Sequence, residues 1–415
     1  MKKFYELSTK ERLEKLYQQG YLSASDLQLL QPSVALSTDV ASHMIENQIG
    51  DFPVPLGLAE NFVIDGQNYL IPMAVEEPSV IAAASNAAKR IAKSGGFKTE
   101  VIRKGVNSQI VFWGNLAEQQ TFLDQHLMDI KQITHAAHPS LYRRGGGLRK
   151  VTVNNIGEYT EFNLLIDPKD AMGANVINTI SEAVSQYLQK QLSKLHFLMA
   201  ILSNKADNEF AISKVAIGFD QLATKTMAGQ QVAQRIVQAT EFAKLSPYRA
   251  ATHNKGIMNG INALVLASGN DTRNINAAAY AELNQADPIF TDWQIKDNRL
   301  CGRIKISLPL GSVGGAISVL PIAKLVQRIL KNPDAKTLMG IVASVGLASN
   351  LSALRALVTN GIQAGHMKLQ IQSLAIMAGA KDNEIDTVVS TLEQDIKHAN
   401  LERAKEIVKE LRKNR

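Results

Sequence analysis

A few short clusters hold the side chains with the most chemical capacity. In Asp170-Ala171-Met172-Gly173-Ala174-Asn175 a glycine stands where a helix would open after the strand-like Leu164-Leu165-Ile166. Such a glycine lets a ligand approach the backbone, and the free N–H groups of a first helical turn favour a phosphate. An ordinary helix capped by Asp170 fits the same pattern. Farther along, Arg249, His253, Lys255 and Asn259 are interspersed with Gly256 and Gly260, and Asp271 follows Gly269-Asn270. A lysine meeting an aspartate near glycine turns suits an anion or an oxyanion, and it equally suits a structural salt bridge. Glu76-Glu77-Pro78-Ser79 puts a carboxylate at the start of an alanine-rich helix, where an acid stabilises the helix dipole. His366 directly follows Gly365 at a plausible hinge. His135 and His138 have the spacing of a metal pair but no third ligand nearby, so no metal site is expected.

The elements that must position these groups are legible in outline. Ser8-Thr9-Lys10-Glu11 is a capping box ahead of a helix, and a second short helix spans 26–30. Residues 61–72 read as a hairpin and 78–93 as a helix with Pro78 at its first position. From about residue 106 the order is strand (109–113), helix (116–133), two strands (151–154 and 159–166), helix (171–192) and strand (196–202). That β-α-β-β-α-β order predicts a ferredoxin-like module. A strand at 214–219, a helix at 230–244, a glycine-bearing loop at 252–262 and a strand at 299–308 follow. The rest is helical to the end, with Asp382 and Asn400 as caps and Leu401, Ala404, Ile407, Val408 and Leu411 on one apolar face.

Composition excludes several classes. With 415 residues the chain is too long for one ordinary core, and 45% apolar residues rule out disorder. The single cysteine, Cys301, allows no intramolecular disulfide and points to a reducing cytoplasm. A net charge of +7 without clustered basic residues argues against a nucleic-acid partner. The uncharged stretches 306–323 and 337–354 carry prolines, glycines and polar side chains that suit buried segments better than membrane spans. The G-x-G-x-x-G fingerprint is absent, so a Rossmann domain is not expected.

Taken together, the clusters resemble hydroxymethylglutaryl-coenzyme A reductase, in its soluble bacterial class (class II). The resemblance rests on Glu46-Asn47-Gln48-Ile49-Gly50, Glu77-Pro78-Ser79, the 170–175 motif with Asn178, and the run 253–260. It continues through Gly269-Asn270-Asp271, Gly311-Ser312-Val313-Gly314-Gly315 and Gly365-His366-Met367. It implies an α+β fold: a large, mainly helical substrate domain (1–105 and 209–364), an inserted ferredoxin-like cofactor domain (106–208) and a C-terminal helical flap (365–415). It also implies a homodimer, or a higher homo-oligomer, with active sites drawing on both chains.

The implied reaction is four-electron reduction of 3-hydroxy-3-methylglutaryl-CoA to mevalonate and CoA with two nicotinamide cofactors. By position, Lys255 holds the oxyanion, Glu77 donates a proton, Asp271 connects the two and His366 protonates the departing CoA thiolate. Ser79, Arg249 and Asn259 match substrate-binding positions. Asp170, Met172, Gly173, Asn175 and Asn178 match cofactor-binding ones. Where family members that use NAD carry an aspartate, Lys150 stands here beside Arg149, which favours NADPH over NADH. The competing enzyme class is a CoA-thioester acyltransferase without redox chemistry, for which Cys301 would have to serve as nucleophile without a histidine near it in sequence.

Overall fold

The structure, a computed structural model, describes residues 3–30, 44–359, 361, 371–395 and 398–413. Helix α1 (Thr9–Gln18) begins at Ser8, whose hydroxyl accepts from the Glu11 N–H while the Glu11 carboxylate reaches back to the Ser8 N–H. A second such box, Ser23 with Asp26, starts α2 (Ala24–Leu29). Strands β1 (Leu56–Ile64) and β2 (Gln67–Ala74) form a hairpin that turns through Asp65 and Gly66, both at positive φ.

Helix α3 (Val80–Ala92) lays Ala84, Ala87, Ala88 and Ile91 on that hairpin. Pro78 is not its first residue. Ser79 takes a left-handed φ of 77° as N-cap and turns the chain, so the helix opens at Val80.

After β3 (Lys98–Arg103) come β4 (Val106–Trp113), α4 (Gln119–Ala137), α5 (Pro139–Arg143), β5 (Gly147–Ile156), β6 (Tyr159–Asp167), α6 (Ala174–Gln191) and β7 (His196–Leu202). The sheet is antiparallel in the order β5-β6-β4-β7, the ferredoxin-like arrangement. Alternation along β6 buries Thr160, Phe162, Leu164 and Ile166, and the last three join Ile130, Ile177 and Val184 in a core separate from that of the hairpin.

The chain returns through β8 (Glu209–Gly218), which pairs with β3. Then α7 (Gly229–Leu245), α8 (Pro247–Ala267) and α9 (Thr272–Tyr280) precede β9 (Thr291–Lys296) and β10 (Arg299–Ser307). These strands complete a second antiparallel sheet, β3-β8-β10-β9. Next come α10 (Gly315–Val319), α11 (Pro321–Ile329) and α12 (Ala335–Val358). By length and composition α12 is apolar enough to cross a membrane, yet residues 338–351 are buried against α3, α8 and the second sheet.

The largest departure from the sequence reading is α8. Residues 252–262 are not a loop but the middle of an unbroken helix. Of its glycines, Gly260 serves packing: a Cβ there would strike the Ser349 hydroxyl on α12, whereas Gly256 faces open space. Close approach to a buried neighbour outweighs the poor helix propensity of glycine.

At the C-terminal end, residues 371–377 are helical, followed by α13 (Asp382–Gln394) and α14 (Leu401–Lys413). Ile371, Val388, Leu392, Ala404, Ile407 and Val408 form a small core of their own. Asn400 caps α14 through its Oδ1, as expected. Asp382 is not a cap; Lys381 holds that place, and Glu384 reaches back to its N–H. Gly365, His366 and Met367 lie outside the described residues.

Candidate active site

Three of the singled-out side chains converge. Glu77, on the turn before α3, accepts on Oε2 from Lys255 Nζ at 3.1 Å and from Asn259 Nδ2 at 3.3 Å. Lys255 and Asn259 are four residues apart on α8 and so share one helix face. The left-handed Ser79 sets the turn that carries Glu77 to that face. Lysine and carboxylate stay 62% and 37% exposed, too open for the pair to contribute much to folding. A cation, an amide donor and a carboxylate meet at an accessible point. That combination can hold a developing oxyanion and pass a proton to it.

The opposite side of α8 is fixed by buried polar contacts. His253 Nε2 lies 2.7 Å from Thr291 Oγ1 and 3.1 Å from Asn350 Nδ2, and Trp293 Nε1 donates to Asn350 Oδ1 at 2.7 Å. Asn254 donates to Pro288 O and accepts from the Phe290 N–H. In the run 253–260, therefore, His253 and Asn254 anchor through polar contacts, Ile257, Met258 and Gly260 are buried, and Lys255 and Asn259 lie toward the open face.

Burial, aided by the Arg249 charge, pulls His253 down to about 4. The unfolded chain takes up that proton near pH 6.5, so between those values it binds more protons than the folded chain, and stability falls as pH drops through the window. The loss is expected to reach on the order of 3 kcal/mol by pH 4. Urea unfolding at pH 7 and pH 4.5 checks it: His253→Gln should lose clearly less stability over that step than the wild type. An equal loss in both would remove the histidine from the effect.

Asp271 is held elsewhere than expected. Its carboxylate accepts from Arg273 Nε and Nη2, both at 2.9 Å, and from the backbone N–H groups of Arg273 and Asn274 as the cap of α9. The Arg273 guanidinium keeps its carboxyl below the usual aspartate range. Lys255 is paired with Glu77, not with Asp271.

One residue before Asp271, Asn270 exchanges two hydrogen bonds with the backbone of Gly311. The next residues meet the 170–173 loop: the N–H groups of Ser312 and Val313 donate to Asp170 O, and Ala171 pairs with Val313. A Cβ on Gly311 would come within 2.6 Å of Met172 N, so only glycine permits this approach. The 311–313 strap thus ties together the loop of Asp271 and the loop that opens α6.

Asp170 does not cap α6. Its Oδ1 accepts from the Ala335 N–H, while Gly173, at φ 94°, is the N-cap and offers no side chain. The first-turn N–H groups are therefore left for another acceptor, and a phosphate fits them. Asn175 sits in that turn, and Asn178 Oδ1 accepts from the Leu202 N–H, joining α6 to β7.

Pairing of β5 with β6 brings an acid into the basic 144–150 neighbourhood. Asp167 Oδ2 lies 2.7 Å from Arg149 Nη2 and 3.2 Å from Lys169 Nζ. Burial works against it, but Arg149 and Lys169 prevail and hold its carboxyl below the usual range. Arg149 is therefore partnered, while Lys150 is exposed at a bulge in β5. Arg249, half-buried on the first turn of α8, is pulled down by desolvation. Cys301 lies within β10 between Ala216 and Gln294 of the flanking strands.

Comparison with known proteins gives a consistent result. The family described as hydroxymethylglutaryl-coenzyme A reductase matches residues 8–371. A 3-hydroxy-3-methylglutaryl-coenzyme A reductase of Archaeoglobus fulgidus is 41% identical, over 99% of this chain and 94% of its own length. A probable one from Borreliella burgdorferi is 33% identical, over 88% and 84%. Among solved structures, the Streptococcus pneumoniae reductase superposes with a TM-score of 0.82 at 37% identity, covering 98% of this chain and 99% of that one. The class II enzyme of that organism bound to NADPH, in open conformations, gives 0.81 at 36% identity, over 86% and 99%.

Proposed function

We propose, from the premise that this chain belongs to the hydroxymethylglutaryl-coenzyme A reductase family, that it reduces 3-hydroxy-3-methylglutaryl-CoA to mevalonate and CoA at the Glu77–Lys255–Asn259 cluster. The carrying observation is that cluster: one cation and one acid on a single accessible point, the cation from α8 and the acid from the turn before α3. Bound nicotinamide cofactor supplies a hydride for each of two successive reductions. Lys255 stabilises the oxyanion left after the first, and protonated Glu77 donates to the oxygen of the aldehyde formed next. Asp271, held below the usual aspartate range by Arg273 here, connects Lys255 and Glu77 once it exchanges that partner in the reacting complex. His366 gives the departing CoA thiolate its proton, which stops recapture of the aldehyde. Ser79, Arg249 and Asn259 hold the acid end and hydroxyl of the substrate.

In this reading residues 106–208 carry the cofactor, the large domain holds the CoA substrate and 365–415 close over both. Asp170, Met172, Gly173, Asn175 and Asn178 receive the cofactor at the opening of α6, and the enzyme works in the cytoplasm as a homodimer. Mixing protein, the CoA thioester and NADPH, then following cofactor absorbance and free thiol together, tests the reading. Loss of absorbance with CoA release is expected. CoA release at constant absorbance would replace reduction with acyl transfer.

NADPH is the proposed cofactor, supported by exposed Lys150 and by the NADPH-bound relative. A cation attracts the 2′-phosphate and gains little from a bare ribose. Lys150→Asp should lower kcat/KM for NADPH by about 10- to 100-fold, the worth of one charged hydrogen bond, with far less effect on NADH. An unchanged ratio between the two cofactors would place the phosphate elsewhere.

A further inference from the structure

Arg103 ends β3, where the chain crosses to β4, and its side chain is 4% exposed. A guanidinium has five N–H bonds, and here each has an acceptor. Nε donates to Lys169 O at 3.0 Å, and Nη2 donates to Lys169 O at 2.6 Å and Ala171 O at 2.7 Å. Nη1 donates to Leu310 O at 2.8 Å and to Met339 Sδ at 3.7 Å. The counter-charge is Glu209, fully buried opposite Arg103 on β8, with Oε2 at 2.9 Å from Nη1. Among the described residues neither Glu209 oxygen accepts a hydrogen bond, and burial pushes its carboxyl up to about 7 although the nearby Arg103 charge pulls it down.

The acceptors matter more than the pair. Lys169 and Ala171 flank Asp170, whose own carbonyl and carboxylate are taken by Ser312, Val313 and Ala335. By chain connectivity the 169–171 loop joins β6 to α6; by hydrogen bonds it belongs to the rest of the molecule. Its next residues, Met172 and Gly173, set where α6 begins.

We propose that Arg103 is a positioning residue for the nicotinamide cofactor, its guanidinium pinning the 169–171 loop so that the opening turn of α6 is preformed for the dinucleotide. This rests on the reading of 170–175 as the cofactor site. A preformed turn spares the ordering cost of binding, so loosening it weakens affinity and leaves the chemical step alone. Lysine offers three donors in another geometry and cannot span the same carbonyls, although it keeps a charge beside Glu209.

The test uses the whole chain carrying Arg103→Lys, with Arg103→Met alongside. NADPH binding is titrated by its fluorescence with no thioester present. For Arg103→Lys, Kd and KM for NADPH should rise about 10- to 100-fold, as expected for lost charged hydrogen bonds. Its kcat at saturating NADPH and its KM for the thioester should stay within roughly threefold, the split that marks lost binding and not lost chemistry. Amide exchange at 170–173 should quicken. A folded Arg103→Lys with wild-type Kd overturns the proposal, as does a fall in kcat and thermal midpoint at unchanged Kd. Should Arg103→Met fail to fold, Arg103→Lys alone decides. Failure of the functional reading looks different: the wild type itself then neither binds NADPH nor reduces the thioester, and the proposal falls with it.

Discussion

Lys255→Ala is expected to lower kcat for thioester reduction by about 10²–10³, the usual cost of one lost oxyanion donor. The same variant should keep its unfolding free energy within about 1 kcal/mol of the wild type, because an exposed pair contributes little to folding. This combination is informative. A lysine kept for structure would show the reverse, with stability falling and turnover spared. Single-turnover kinetics with preloaded cofactor would isolate the reduction step from release. Near-normal turnover would take Lys255 out of the mechanism.

Glu77→Gln should cost about 10²–10⁴ in rate, the range for a positioned proton donor, while preserving the shape of the site. Its amide still offers an oxygen to Lys255 and Asn259, so the loss isolates the missing proton. Free mevaldehyde supplies the control. Its reduction needs a proton on the same oxygen but expels no thiolate, so Glu77→Gln should slow mevaldehyde and thioester alike. His366→Ala should slow the thioester more. If Glu77→Gln spared mevaldehyde, the donor for that oxygen would have to be another group.

The ferredoxin-like module was readable from sequence because its two periods are clean. β6 alternates without interruption, and β7 matches the expected residues at both ends. Helix α8 was not readable, since glycines and polar residues mimic a loop when their buried partners, Ser349, Thr291 and Asn350, lie far off in sequence. Ser79 misled the start of α3 for a local reason, a left-handed backbone that no propensity scale anticipates. At the site, the residue types were legible and the pairings were not. Asp271 was expected beside Lys255 but accepts from Arg273, two residues on. Asp167 went unnoticed because only the register of β5 against β6 sets it beside Arg149. Arg103 carried no signal at all. A lone arginine ending a strand becomes meaningful only when the carbonyls around it are known.

The burial of α12 against α3 and β3 has a consequence for how the protein is made. α3 and β3 leave the ribosome some 250 residues before α12 does, which at about 5–20 residues per second is roughly ten to fifty seconds. Through that interval α3 lacks α12, the helix it packs against most, while the module spanning 106–202 can already close its own core. Nascent chains stalled before residue 335 should therefore be protease-resistant in that module and bound by chaperones around it. Release of the chaperone should coincide with the emergence of α12.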